Sequence, residues 1–340
     1  MIAPGIYFEL DESEYHAIEA LSNSGIKQIL CSPMNFWAST PWLNPEYEEE
    51  ESKFMDMGKA YHTRIVEGKD VFYSRYAPAL DPDDYPDALR TMEELRNALP
   101  EGVKRGGNKT ELAAKVLEHF PDAEVWDLMV EKYQAKHEGK EFLSPKLIKK
   151  IEIAAAMIEK HPQLCKAFTG GYPEVSIVWN CRETGVPMKA RIDYLKTQAI
   201  IELKTFGNPF NKPIDRAIFY AFASQRYQIQ AAVYHEAVEE AKAMLSVGMV
   251  SGDCPAEWLH AFTACKQHEM LYIFQQTGIA PVARGWKFPR HLTFDIGKIA
   301  VAEAKRRFKE SMEKFGKDPW VDETGIQEFD DLDFPPFISE

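Results

Sequence analysis

Three β-rich runs follow one another in the middle of this chain with very little between them: "EVSIVWNC" (174–181), "PMKARIDYL" (187–195) and "QAIIELKT" (198–205). The connecting residues are turn formers, notably "RETG", or the short stretch "KTQ". A parallel crossover needs a dozen residues or more, so neighbouring runs of this kind pair as hairpins. Around them the apolar period is helical. Helices are predicted over 54–68, over 144–162 and over 214–245, the last broken near Ser224. Then "EWLHAFTACK" and "EMLYIFQQ" read as two further strands, and 293–314 as a basic amphipathic helix. Helices, a strand meander, then helix and strands again describe an α/β (α+β) fold, a mixed central sheet with helices on both sides.

The punctuation agrees with this order. "LSNSGIKQILCSPMNFWA" reads as one short helix, capped by Ser22 or Ser24 and ended by Pro33. Gly68 stops the helix over 54–68, while Ser144 caps the next, with Pro145 in its first turn and Pro162 beyond its end. Residues 1–340 are read as one domain, with 69–142 a peripheral insertion that has little core of its own. The acidic run "PEYEEEE" (45–51) is a solvated loop, and 325–340 an acidic tail.

A hydrophobic content of 45% and a charged content of 27% are those of an ordinary globular protein. No apolar run reaches the roughly 20 residues that span a bilayer. The N-terminus lacks the basic start and apolar core of a secretory signal. The five scattered cysteines suggest free thiols. The expectation is a cytoplasmic protein with no membrane partner. A net charge of −13 argues against coating nucleic acid by bulk charge, although a local basic groove is compatible with it.

Within the meander stand Asp193, Glu202 and Lys204, spaced D-x8-E-x-K. Strand alternation points Glu202 and Lys204 the same way, and a hairpin through "KTQ" sets Asp193 beside Glu202. Two ionised carboxylates so close repel each other, and a divalent cation removes the conflict. The Leu203 carbonyl could add a neutral ligand, and Lys204 could offset negative charge developing on a phosphate. The alternative is an exposed sheet edge carrying an ordinary Glu–Lys pair. Two further patterns bear on the choice. "GKAYH" places Gly58 and His62 on one helix face, and His is an acceptable ligand beside carboxylates for Mn2+ or Mg2+. "YQIQAAVYH" aligns Tyr227, Gln230 and Tyr234 on one stripe, and a Gln in its centre needs a polar partner.

In this order, G-x3-H, D-x8-E-x-K and Q-x3-Y, the chain resembles the RecB-like branch of the PD-(D/E)XK nuclease superfamily. "SNSGIKQILCSPMNFW" and "RAIFYAFASQRYQIQAAVYHEA" look most like the C-terminal nuclease of exonuclease VIII (RecE) and its phage-encoded relatives, over roughly 20–320. The resemblance implies that His62, Asp193, Glu202 and the Leu203 carbonyl hold one or two Mg2+ ions, for which Mn2+ can substitute. It implies that Glu174 assists a second metal, that Lys204 is the catalytic lysine, and that Gln230 and Tyr234 position the DNA or the motif around it. Arg191, on the same face as Asp193, is a candidate phosphate contact or a plain surface arginine. The function implied is a Mg2+-dependent exodeoxyribonuclease acting on double-stranded DNA ends, 5′→3′, with a single-strand annealing protein as partner and a homo-oligomeric ring as its assembly. An endonuclease or single-strand nuclease of the same superfamily, or a DNA-binding module without catalysis, are the alternatives.

Three other signals are set aside. "EGVKRGGNKT" breaks the phosphate-loop spacing at Asn108. Cys254, His260, Cys265 and His268 fit no common zinc spacing. No cysteine triplet accompanies the nuclease motifs, so no iron–sulfur cluster is expected.

Overall fold

The computed structural model describes residues 2–48, 53–278, 280–326 and 328, with the side chains of 53–55 left aside; the end of the acidic run and most of the acidic tail lie outside this range. The chain opens with strand β1 (Gly5–Tyr7) and helices α1 (Glu12–His16), α2 (Asn23–Cys31) and α3 (Pro33–Ala38). The single helix expected over α2 and α3 is thus two. Ser22 accepts the Gly25 N–H and starts α2, whereas Pro33 begins α3, with the Ser32 hydroxyl accepting the Met34 N–H. Proline lacks only an N–H that the first helical turn leaves free anyway, so it starts a helix as readily as it stops one.

Helix α4 (Lys53–His62) runs into a π-helical turn at Thr63–Glu67. Gly68 ends it with φ 104°, a conformation unfavourable to any residue with a Cβ. Next come α5 (Lys69–Arg75), β2 (Tyr76–Pro78), α6 (Met92–Ala98), α7 (Lys109–His119), α8 (Trp126–Lys136) and β3 (Glu141–Leu143), which pairs with β2. Capping boxes open α6 (Thr91 with Glu94) and α7 (Asn108 with Glu111). Leu95, Leu99, Leu112, Ala113, Val116 and Val125 close on each other, so this segment has more core of its own than its sequence suggests.

Helix α9 (Pro145–Lys160), capped by Ser144, leads into the meander β4 (Gly171–Asn180), β5 (Pro187–Lys196) and β6 (Ala199–Phe206). Helices α10 (Ile214–Ser224) and α11 (Tyr227–Leu245) follow, separated by a break at the left-handed Arg226. The remainder is β7 (Val250–Ser251), α12 (Ala256–Ala264), β8 (Glu269–Gln276), β9 (Ala283–Phe288) and α13 (Leu292–Phe315). "EWLHAFTACK" is therefore helix α12, which corrects the strand expected there. Trp258 and Phe262 fit either period, but their rings stack 5.3 Å apart, as side chains four apart do on a helix.

One seven-stranded mixed sheet runs in the order β7-β1-β4-β5-β6-β8-β9, with β6 and β8 parallel and the meander antiparallel. Helices α2, α11 and α13 cover one face, burying residues such as Ile26, Val233 and Phe308 against Trp179 and Ile200. The π-helical turn, α4 and α9 cover the other, where Ala60, Tyr61 and Ala154 meet Tyr194, Ile201 and Leu203. This is the architecture expected of a mixed sheet between helical layers. No helix among the described residues is long and apolar enough to cross a membrane.

Candidate active site

At the middle of the meander the sheet departs from its regular pattern. Pro173 pairs with Tyr194 and Val175 with Ile192, leaving Glu174 and Asp193 facing each other across the one rung that is not formed. Glu174 is left-handed, with φ 55°. Strict alternation would put Ile192 and Tyr194 on one face, yet they belong to the two opposite cores. A left-handed non-glycine residue inside a strand is costly, and such conformations concentrate at functional sites.

Between β5 and β6 the ladder is formed at Tyr194–Ile201 and Leu195–Ile200. Beyond it two carboxylates reach across. Asp193 Oδ2 accepts the Leu203 N–H at 2.8 Å, and Glu202 Oε1 accepts the Asp193 N–H at 3.0 Å. The tight turn expected between these strands brings the two acids together as the spacing required.

His62, the last residue of α4, enters from the helical layer. Its Nε2 lies 3.2 Å from Asp193 Oδ2 and its Nδ1 3.3 Å from Glu174 Oε1. His62, Glu174 and Asp193 form a group compact enough to hold a metal ion, with ligand atoms all within 4.8 Å of one another. They line an open cavity of about 390 Å³, with Gly58, Leu203 and Thr205 on its wall. A Cβ at Gly58 would stand 3.7 Å from the Thr205 hydroxyl, so larger side chains there would narrow the cavity.

Glu202 is fully buried and does not line that cavity. Its Oε2 accepts from Lys204 Nζ at 2.8 Å and from Gln230 Nε2 at 2.7 Å. Gln230 thereby has the polar partner its place in an apolar stripe demanded. Tyr234 donates its hydroxyl proton to the Arg191 carbonyl at 2.6 Å, fixing β5 against α11. Both residues touch the motif in this structure. Arg191 pairs with Glu174, donates to the Leu10 carbonyl at 3.0 Å and lies over the Tyr15 ring, so its charge is spent inside the site. Lys204 rests against the Tyr227 ring, 5.4 Å from its centroid.

The electrostatics follow from this packing. Burial and then the nearby Asp193 push the Glu202 carboxyl up, against the pull of Lys204. Burial likewise pushes Glu174 up, opposed first by His62. Burial works against a charged His62, but Asp193, Glu174 and Glu202 outweigh it and raise the imidazole to about 9. Burial also disfavours a charged Lys204, and Glu202 and Asp193 again reverse the sign. Three carboxyl groups and three basic groups, His62, Arg191 and Lys204, are thus paired with one another in one small volume. The donor set fits a divalent cation: two carboxylate oxygens and an imidazole that converge on one small volume.

Sequence reasoning missed one residue here. Lys189 precedes Arg191 and Asp193 by the same two-residue step, and its buried ammonium donates to the carbonyls of Tyr15, His16 and Ile18 at 2.9, 3.1 and 2.9 Å. It ties the end of α1 to β5. The alternation "KARID" carried that signal.

Residues 22–247 match the family described as "PDDEXK-like domain of unknown function (DUF3799)", which spans most of the chain and all of the site's motifs. Among solved structures, one from Eubacterium rectale described as "Putative exonuclease" is similar at 14% identity, covering 95% of this chain and 97% of the other, with a TM-score of 0.46. No curated protein matches the sequence.

Proposed function

The chain belongs to the PDDEXK-like domain family, within the PD-(D/E)XK nuclease superfamily, and on that premise we propose that it is a Mg2+-dependent exodeoxyribonuclease of linear duplex DNA. The observation that supports this most is the row Glu174, Asp193, Glu202 on three adjacent strands, closed by His62 over an open cavity. A divalent cation bound there supplies a nucleophilic water at neutral pH and charge for the departing oxygen.

The chain's own residues do the rest. His62, Glu174 and Asp193 would hold the ion, with the Leu203 carbonyl as a further donor; Glu202, expected as a ligand, lies off the cavity with its oxygens held by the Asp193 N–H, Lys204 and Gln230. Arg191 holds Glu174 in place, while Gln230 and the Lys204 ammonium hold Glu202. Lys204, kept protonated by its acidic neighbours, would stabilise negative charge on the phosphate in the transition state. The RecE-like reading adds 5′→3′ polarity, 3′ single strands as product and an annealing protein as partner. A closed homo-oligomeric ring fits a chain of net charge −13, which has little general hold on DNA and gains processivity by enclosing it.

Digestion of end-labelled linear, nicked and closed circular duplexes, with Mg2+ or with EDTA, tests the proposal. Mononucleotide release from the 5′ end of linear DNA only, abolished by EDTA, is the expected result. Cutting of closed circles would make the protein an endonuclease, and no cutting of any substrate would leave a binding module.

A further inference from the structure

Beside the metal-ligand cavity lies a second depression, a groove of about 690 Å³ that shares Thr205 with the cavity. Its inner end is Tyr227, on whose ring Lys204 and Lys27 both rest, at 5.4 and 5.5 Å from the centroid. Its outer end is made by Phe210, Lys212 and Tyr220. Phe210 is 81% exposed and Tyr220 54%, a large apolar surface to leave in water.

The loop that carries Phe210 is built to present it. The Asn208 side chain donates to the Lys212 carbonyl at 2.8 Å and accepts the Lys212 N–H at 3.0 Å, closing the loop on itself. Asn211 takes the left-handed conformation that the turn needs, with φ 48°. Lys212 then stands over both rings, its Nζ 4.3 Å from the Tyr220 centroid and 5.8 Å from that of Phe210. Flat apolar faces beside an ammonium, in a groove that shares Thr205 with the metal-ligand cavity, match a strand of unpaired bases on a phosphate backbone.

We propose that this groove, through Phe210, Tyr220 and Lys212, is a stacking subsite that takes the strand adjoining the scissile phosphate in single-stranded form. The inference rests on the nuclease reading and deepens it. Only the terminal pair of a duplex offers a free face, so any further base that meets an aromatic ring has first left its neighbour in the stack. The end of a duplex must therefore open by a nucleotide or more before it is cut, with the two rings compensating for the lost stacking. Lys212 supplies a phosphate contact without sequence preference.

Equilibrium binding of a fluorescein-labelled oligothymidylate of about twelve nucleotides tests this, with Ca2+ replacing Mg2+. A second oligonucleotide carrying 2-aminopurine reports stacking by loss of its fluorescence. The wild-type protein is expected to bind and to quench. The Phe210→Ala/Tyr220→Ala double variant should bind about tenfold or more weakly and lose the quenching, while Phe210→Trp keeps both. Lys212→Ala should flatten the dependence of affinity on salt. If the wild type digests linear duplex but the double variant binds and quenches as it does, the groove has another role and the inference falls alone. It also falls, with the nuclease reading intact, if the wild type digests duplex yet holds no single strand. A wild type that neither binds nor digests DNA overturns the inference and the nuclease reading together.

Discussion

The meander β4–β6 and the segment between α5 and β3 are stabilised by opposite means. In the segment, order is local: two capping boxes start α6 and α7, and six apolar residues close a small core. In the meander, a left-handed glutamate, a missing rung and three buried or half-buried carboxylates hold their places through α4 and α11. The difference teaches where function sits. The segment is ordered by contacts within itself, whereas the meander contains conflicts that only distant partners resolve, and those partners are the site's own residues.

The sharpest way to break this comparison is to remove one resolving charge. Asp193→Asn keeps an acceptor for the Leu203 N–H but loses the carboxylate between that amide and His62. Nuclease activity is expected to fall on the order of 10³-fold or more, with the fold retained. Asp193→Ala should do the same and also cost about 1–3 kcal/mol, because a buried N–H loses its partner. From the sequence alone, relief of carboxylate repulsion would make that change neutral or stabilising. The opposite sign is expected here, since His62 and Lys204 already stand against the Asp193 carboxylate and offset the repulsion. Paired thermal midpoints of the two variants measure it.

Lys204→Ala should come next. Activity drops by roughly 10²–10³-fold from loss of transition-state charge, and metal affinity measured by calorimetry stays near the wild-type value. Glu202, whose carboxyl burial already pushes up, can take a proton when its cation is gone. The fold is therefore expected to survive. Metal affinity lost along with activity would make Lys204 a structural partner of Glu202 only.

The segment should respond in the other way. Leu112→Ala, deep in the small core, is expected to cost about 2–5 kcal/mol locally, read as faster amide exchange in α6 and α7. Thr91→Ala removes one cap at about 1 kcal/mol. Neither should change single-turnover cleavage of a short duplex. If Thr91→Ala alters cleavage, the two regions are coupled and the comparison fails.

What was legible in the sequence follows the same division. Asp193, Glu202 and Lys204 announced themselves as charges among Ile and Leu, and a hairpin through the short turn was the arrangement that would bring the two acids together. Gln230 was visible as an amide in an apolar stripe, though its partner, Glu202, became known only from the packing of α11 on β6. Glu174 entered only through the family resemblance, as an aid to a second metal; its place directly opposite Asp193 was not legible, because it depends on a backbone conformation that glutamate rarely adopts. The strand expected at "EWLHAFTACK" failed because Trp258 and Phe262 satisfy two periods at once. The core of the segment was hidden by the turns between its helices, since apolar residues as far apart as Leu95 and Val125 meet only in three dimensions.

The central claim is that His62, Glu174 and Asp193 hold a divalent cation that drives phosphodiester hydrolysis. Its most direct test is titration calorimetry of Mg2+ and Mn2+ into the wild type and Asp193→Asn, each preparation also assayed on end-labelled linear duplex. The expected result is saturable metal binding and end-dependent digestion by the wild type, with both lost in the variant. An Asp193→Asn protein that binds the metal with wild-type affinity and digests DNA at the wild-type rate would contradict it.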